Sequence, residues 1–187
     1  MDYIKRNRNR KIRRAIISSI LYVLSIILIV FVVLAFVCQK TVILGDSMYP
    51  LLENGDEVLI DKVTYDFREP QRYDVIVLKF RYLADTYYVK RIIGLPGETV
   101  QIYDGVIYIN NTPLDDPYGY EDYIIDPGLA EEPIELGENE YFVLGDNRNV
   151  SRDSRDKTVF KVNRNDIIGR AWIRLFPLNK FGFVRHR

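Results

Sequence analysis

The sequence predicts a mainly β fold, a closed or folded-over sheet preceded by one N-terminal transmembrane helix, and three observations carry that reading. Residues 15–38 contain no charged side chain. Beyond residue 41 the apolar residues alternate or run in short blocks between turn residues, the period of strands rather than of helices. Asp104-Gly105 stands between two such blocks, the signal of a hairpin whose two-residue turn needs positive φ.

At about 1.5 Å per residue, a helix over 15–38 reaches roughly 36 Å, enough to cross a hydrocarbon core of about 30 Å with some tilt. Seven basic residues lie between Lys5 and Arg14, just before the span. By the positive-inside rule they hold the N-terminus in the cytoplasm and place everything after Lys40 outside. The chain thus divides into a basic cytoplasmic arm (1–14), a transmembrane helix (15–38) and an extracytoplasmic β-rich domain (39–187). A cleaved secretory signal would have a shorter apolar core and a small-x-small site. Here the stretch ends Leu34-Ala35-Phe36-Val37-Cys38, and Val37 also argues against Cys38 as a lipid acceptor. The span reads as an uncleaved anchor in a lipid bilayer.

The 187 residues include 26 basic and 26 acidic ones, but the signs are segregated: residues 1–40 carry +7 and the remainder −7. An acidic exported domain lacks the basic face that a phosphate backbone demands, so no nucleic acid is expected. One Cys and one His supply neither a disulfide nor a zinc site. His186 belongs to the terminal run Arg185-His186-Arg187, a place that usually frays. A Ser-His-Asp triad is therefore not expected.

The expected strands are Val58–Ile60, Val75–Leu78, Tyr87–Val89, Thr99–Tyr103, Val106–Ile109, Tyr141–Leu144 and Ile167–Leu175. Between Asp115 and Glu140 there are ten acidic residues and no basic one, mixed with Pro and Gly. That composition predicts a mobile, solvated loop without regular structure. Near the C-terminus, Phe176, Phe181 and Phe183 can form an apolar surface for lipid, with Trp172 expected in the β core.

A hydrolase without a triad needs a nucleophile with another base. Ser47 lies in Gly45-Asp46-Ser47-Met48-Tyr49-Pro50, seven residues after Lys40. A Ser hydroxyl is a weak nucleophile at neutral pH and needs a group to take its proton. A lysine amine can do so when burial in an apolar pocket brings its pKa down from about 10.4 toward 8. Lys90 closes the apolar run Tyr87-Tyr88-Val89, and strand alternation points it away from Arg91, so that one is buried and the other solvated. On these residues alone, Ser47 also reads as a turn former and Lys90 as a solvated edge residue. The polar run from Gly145 to Arg155 can brace such a site and is equally an ordinary surface loop.

Taken together, the blocks resemble the type I signal peptidases, membrane-anchored Ser/Lys endopeptidases, in their compact Gram-positive form. They are Gly45–Pro50, Gly55-Asp56, Arg72–Val77, Tyr88–Glu98, Gly145–Arg148 with Ser151, Asp153, Ser154 and Arg155, and Gly169–Ala171, in the family's order after an N-terminal anchor. The resemblance implies a signal-peptidase-like β-fold, Ser47 as nucleophile and Lys90 as general base. It implies that Ser151 orients the Lys90 amine, that Asp153 and Arg155 form a structural ion pair, and that Asp146 and Arg148 hold the same polar region. Ile43, Met48, Leu52 and Val89 would line shallow pockets for small residues before the cut. No cofactor and no metal is implied, and the implied partners are the signal peptides of exported precursors.

The sequence departs from the family pattern in three places. Gly45 stands where some members have a Ser that helps bind the oxyanion, which leaves that task to backbone N–H groups such as that of Ser47. Leu51 replaces the usual Thr, and Asn149-Val150 the usual Asp-Asn. Among other readings, a self-cleaving repressor-type protease would need a DNA-binding module and a cytoplasmic location. A silent scaffold in surface or pilus assembly would be expected to have lost Ser47 or Lys90.

Overall fold

The structure is a computed structural model that describes residues 2–79 and 87–186. The chain falls into two compact units, 1–38 and 39–187. In the first, helix α1 spans Asp2–Val37, and its stretch Lys11–Val32 is long and apolar enough to cross a membrane. No Gly or Pro interrupts the chain before Gly45, so nothing breaks the helix at the basic arm, which is its first turns rather than a separate segment. The helix ends at Val37. Cys38, expected as the last residue of the span, instead opens a strand.

The second unit is mainly β. Its strands are β1 (Cys38–Val42), β2 (Glu57–Asp61), β3 (Val75–Lys79), β4 (Tyr87–Gly94), β5 (Thr99–Tyr103), β6 (Val106–Ile109), β7 (Thr112–Pro113), β8 (Ile134–Glu135), β9 (Glu140–Leu144), β10 (Val162–Asn163), β11 (Ile167–Phe176) and β12 (Gly182–Phe183). One sheet has the order β1-β2-β11-β3-β4-β9-β10, with β12 added to β11, and a second has the order β7-β6-β5-β8. Among the described residues the pairing gives two sheets rather than one closed barrel. The hairpin between β5 and β6 turns at Asp104 (φ 47°) and Gly105 (φ 71°), the left-handed pair a two-residue turn requires.

The near-continuous apolar run of β3 marks a strand buried on both faces. Val75 and Val77 pack with Ile43, Met48, Leu52, Val58, Ile60 and Val89, while Ile76 and Leu78 pack on the other side with Ile92, Val143 and Ile167. A third cluster joins the small sheet to Ile93, Phe142 and Leu144.

Three expectations are corrected here. The acidic segment 115–140 is not a mobile solvated loop: it holds a short 3-10 helix (Gly128–Glu131) and strand β8, and buries Ile124, Ala130, Ile134 and Leu136 in the third cluster. These four suffice because they face one core, while Ile125 and Leu129 of the same segment stay exposed. The C-terminus does not fray. Val184 N–H donates to the Trp172 carbonyl (2.9 Å), and the buried His186 accepts from Val75 N–H at Nδ1 (2.9 Å); Arg187 lies outside the described residues. Trp172 is half-buried against Phe183 rather than in the core, and Phe176, Phe181 and Phe183 are exposed.

Candidate active site

Ser47 opens a tight turn in which Tyr49 N–H donates to Asp46 O (3.1 Å) and Leu52 N–H to Met48 O (2.9 Å). The turn sends neighbouring side chains opposite ways, Ser47 outward and Met48 into the core at 1% exposure. Lys90 comes from β4, which pairs with β3 so that Ile76 faces Lys90. Its Nζ lies 2.7 Å from Ser47 Oγ.

Lys90 is 3% exposed. Burial pushes its amine down to about 8, against the upward pull of Asp153 and Asp146. Protonated, the amine donates to the Ser47 oxygen; neutral, it can accept the hydroxyl proton. A serine with a neutral amine at this distance can act as a nucleophile toward a carbonyl. The pair opens into a cleft of about 460 Å³ whose walls include Val42, Ile43, Leu44, Tyr87, Val89 and Arg152. Of the four expected pocket residues, Ile43 and Val89 line this cleft. Met48 and Leu52 do not reach it, because the turn folds them into the apolar cluster beneath, where both are fully buried.

The expectation that only one of Lys90 and Arg91 is buried is also corrected. Both faces of β4 are covered, and Arg91 is 1% exposed. Its guanidinium makes a bidentate pair with Asp146 (Nε–Oδ1 and Nη2–Oδ2, both 2.7 Å), stacks over Tyr118 at 4.0 Å and donates from Nη1 to the Tyr73 carbonyl (2.9 Å). Burial pushes the Asp146 carboxyl up, and Arg91 opposes that.

Asp153 and Arg155 pair at 2.8 Å, and Asp153 Oδ2 also accepts from Gly145 N–H (3.1 Å). Arg148 pairs not with Asp146 but with Asp116 of the acidic segment (2.5 Å), while its own N–H donates to Glu121 (2.9 Å). Ser151 Oγ is buried and has no hydrogen-bond partner among the described residues, so it does not bond the Lys90 amine here. Asp46, whose side chain is exposed, contributes its carbonyl alone.

Four contributors carried no individual role in the sequence reading. Asn147 donates from its backbone N–H to Ser47 O (3.1 Å) and from Nδ2 to Asp46 O (3.1 Å), which ties the Ser47 turn to the polar run. Its place in Gly145-Asp146-Asn147-Arg148 was the available signal. Arg91 and Asp116 were hidden because their partners lie 55 and 32 positions away in sequence. Tyr120 packs edge-on against Tyr49 at 4.9 Å, and nothing in the acidic segment's composition marks that tyrosine from its neighbours. Among the described residues no group of His, Cys, Asp and Glu could hold a metal ion.

Comparison with known proteins gives this geometry a family. Residues 16–176 match the family described as signal peptidase, peptidase S26. A signal peptidase I of Leptolyngbya laminosa is 39% identical over 155 residues, covering 79% of this chain and 73% of its own. A probable signal peptidase I-2 of Synechocystis is 36% identical over 156 residues, covering 80% and 68%. Signal peptidase I S of Bacillus subtilis is 35% identical over 156 residues, covering 78% and 80%. With the match running through the Ser47 turn, both β4 cations and the polar run, the chain belongs to the signal peptidase family, peptidase S26, and is a serine peptidase that removes signal peptides.

Proposed function

We propose that the protein cleaves exported precursors by a Ser47/Lys90 acyl-enzyme mechanism, after a small-x-small site such as Ala-x-Ala. The observation that carries this is the 2.7 Å approach of a buried Lys90 amine, with its pKa near 8, to Ser47 Oγ. Neutral Lys90 takes the hydroxyl proton as Ser47 Oγ attacks the scissile carbonyl. The proton then passes to the leaving amine, and the acyl-enzyme remains. A water deprotonated by Lys90 attacks the ester, and Ser47 is restored as the signal peptide's new carboxylate departs. The backbone N–H of Ser47 serves the oxyanion, in the absence of a side chain at Gly45.

The precursor adds as an extended strand along the cleft, where main-chain hydrogen bonds set the register. Ile43 and Val89, at the cleft wall, leave room for small side chains. Asp153 and Arg155 hold the loop that carries Ser151, and a change of its rotamer lets Ser151 hydroxyl orient the amine. The helix spans a bilayer with its N-terminus in the cytoplasm and the catalytic domain outside, and Phe176, Phe181 and Phe183 rest on lipid. Enzyme and precursor in one bilayer meet by a two-dimensional search, which raises their effective concentration.

The test uses full-length protein in detergent with a pre-protein carrying an Ala-x-Ala site, alongside Ser47→Ala and Lys90→Ala. Cleavage after the second Ala, read by mass spectrometry of the new N-terminus and lost in both variants, is the expected result. Cleavage that survives in either folded variant overturns the dyad.

A further inference from the structure

The catalytic cleft does not end at Ser47. Val150 and Arg152 line both this cleft and a neighbouring cavity of about 410 Å³, so the two lie side by side at these two residues. The two parts differ in chemistry. The near part has an apolar wall of Val42, Ile43, Leu44, Tyr87 and Val89 leading to the Ser47–Lys90 pair, with Thr41 and Asp46 also at its lining. The far cavity has Arg148, Arg152 and Arg155 in its walls, against Asp126 and Asp156.

On the reading proposed above, the apolar part takes the small residues before the cut. The chain after the cut must leave by the other end, past Val150 and Arg152. At about 3.3 Å per residue, the first three residues of the mature protein cover roughly 10 Å of that path.

Two cations there are not fully used. Arg152 has a side chain 63% exposed, and its ion-pair partner among the described residues, Asp156, stands 4.0 Å away. Arg148 is 2% exposed and pairs with Asp116 through Nη1, yet its Nε and Nη2 have no hydrogen-bond partner among the described residues. A buried guanidinium with two unpaired N–H groups is costly unless something accepts from it. A carboxylate entering the cavity meets the exposed, weakly paired Arg152 fork first, with the unmet N–H donors of Arg148 in the wall behind it.

We propose that this cavity is the binding site for the start of the mature protein, and that Arg152 makes the enzyme favour precursors with an acidic residue among the first three positions after the cut. The inference rests on the proposed peptidase reading and names the substrate class within it.

The experiment compares pre-proteins identical through their Ala-x-Ala site and carrying Glu, Gln or Lys at each of the three following positions in turn. The protein is full-length, in detergent, as wild type and as Arg152→Gln and Arg152→Glu. The quantity read is the ratio of kcat/KM values between substrates within one enzyme, which a general loss of folding or activity does not move. At one position or more, the wild type should prefer Glu to Gln by about two- to fivefold, the range an exposed ion pair supplies, and disfavour Lys. That preference should shrink in 0.5 M salt, vanish in Arg152→Gln and invert in Arg152→Glu. Equal rates for Glu, Gln and Lys at all three positions, or a preference that survives in Arg152→Gln, overturns the inference and leaves the peptidase reading intact. No cleavage of any substrate by the folded wild type overturns both.

Discussion

Gly145 presses its bare Cα against Ser47. A Cβ at position 145 would lie 2.3 Å from the Ser47 main-chain oxygen and 2.3 Å from Ser151 Oγ, distances no real Cβ adopts. The Ser47 turn and the polar run therefore approach as closely as they do only because residue 145 has no side chain.

Gly145→Ala should consequently push the Ser47 backbone away from Lys90. A displacement of about 1 Å in a reacting group costs on the order of 100-fold in rate. The expected outcome is that loss in kcat/KM with a cooperative melt at lower temperature. A folded variant with wild-type kinetics would show that this contact does not hold the nucleophile.

On the proposed dyad, Lys90 sets the pH profile of cleavage, and its burial carries a cost in stability. Its folded pKa is lowered from 10.5 to about 8, so kcat/KM should rise with pH through a midpoint near 8. For stability the sign runs as a penalty. Below pH 8 both states carry the proton and the folded state bears a buried charge in full; between 8 and 10.5 the folded state sheds it and the penalty fades. Lys90→Met should therefore abolish cleavage yet stabilise the fold at pH 7, by on the order of 3 kcal/mol. Urea melts at pH 7 and pH 10 check this, and the gain should be smaller at pH 10.

His186 makes the fold sensitive to acid. Burial, helped by Arg170, pushes its pKa down from 6.5 to about 4, with Asp74 pulling the other way and Arg91 adding to the depression. The unfolded chain thus takes up a proton before the folded one does. The contribution is fully present above pH 6.5 and is lost as pH falls toward 4, on the order of 3 kcal/mol in all. His186→Asn keeps an acceptor for Val75 N–H without a titrating group, and its stability should fall less between pH 6.5 and 4. A melt series whose acid slope matches wild type would remove His186 from that account.

Arg91 and Asp146 form a buried pair whose separation leaves one charge uncompensated. Arg91→Met should destabilise by about 3–5 kcal/mol, and the double variant Arg91→Met/Asp146→Leu should recover part of that loss. Denaturant melts of the two single variants and the double close the cycle. Additive losses would mean the two side chains act independently.

Much of this molecule is legible before it folds. The helix announces itself by an uncharged stretch, and the strands by alternation, because both patterns are local consequences of backbone period. Asp104-Gly105 marks its hairpin through a φ requirement only a few residue types meet. Ser47 and Lys90 stand out only through the blocks that resemble the signal peptidases, since as residue types they fit a turn serine and an edge lysine equally well.

What the sequence by itself determined is therefore the elements, the segregation of charge and the blocks in which Ser47 and Lys90 stand as candidates. Tertiary structure alone decided which side chains meet. It set Met48 and Leu52 beneath the cleft instead of in it, docked the acidic segment through Asp116 on Arg148, folded His186 back to Val75, and buried Arg91 beside Lys90. The reason is the same each time. Local pattern fixes the direction of a side chain relative to its own strand or turn, but burial and pairing depend on what another part of the chain, tens of residues away, places opposite it.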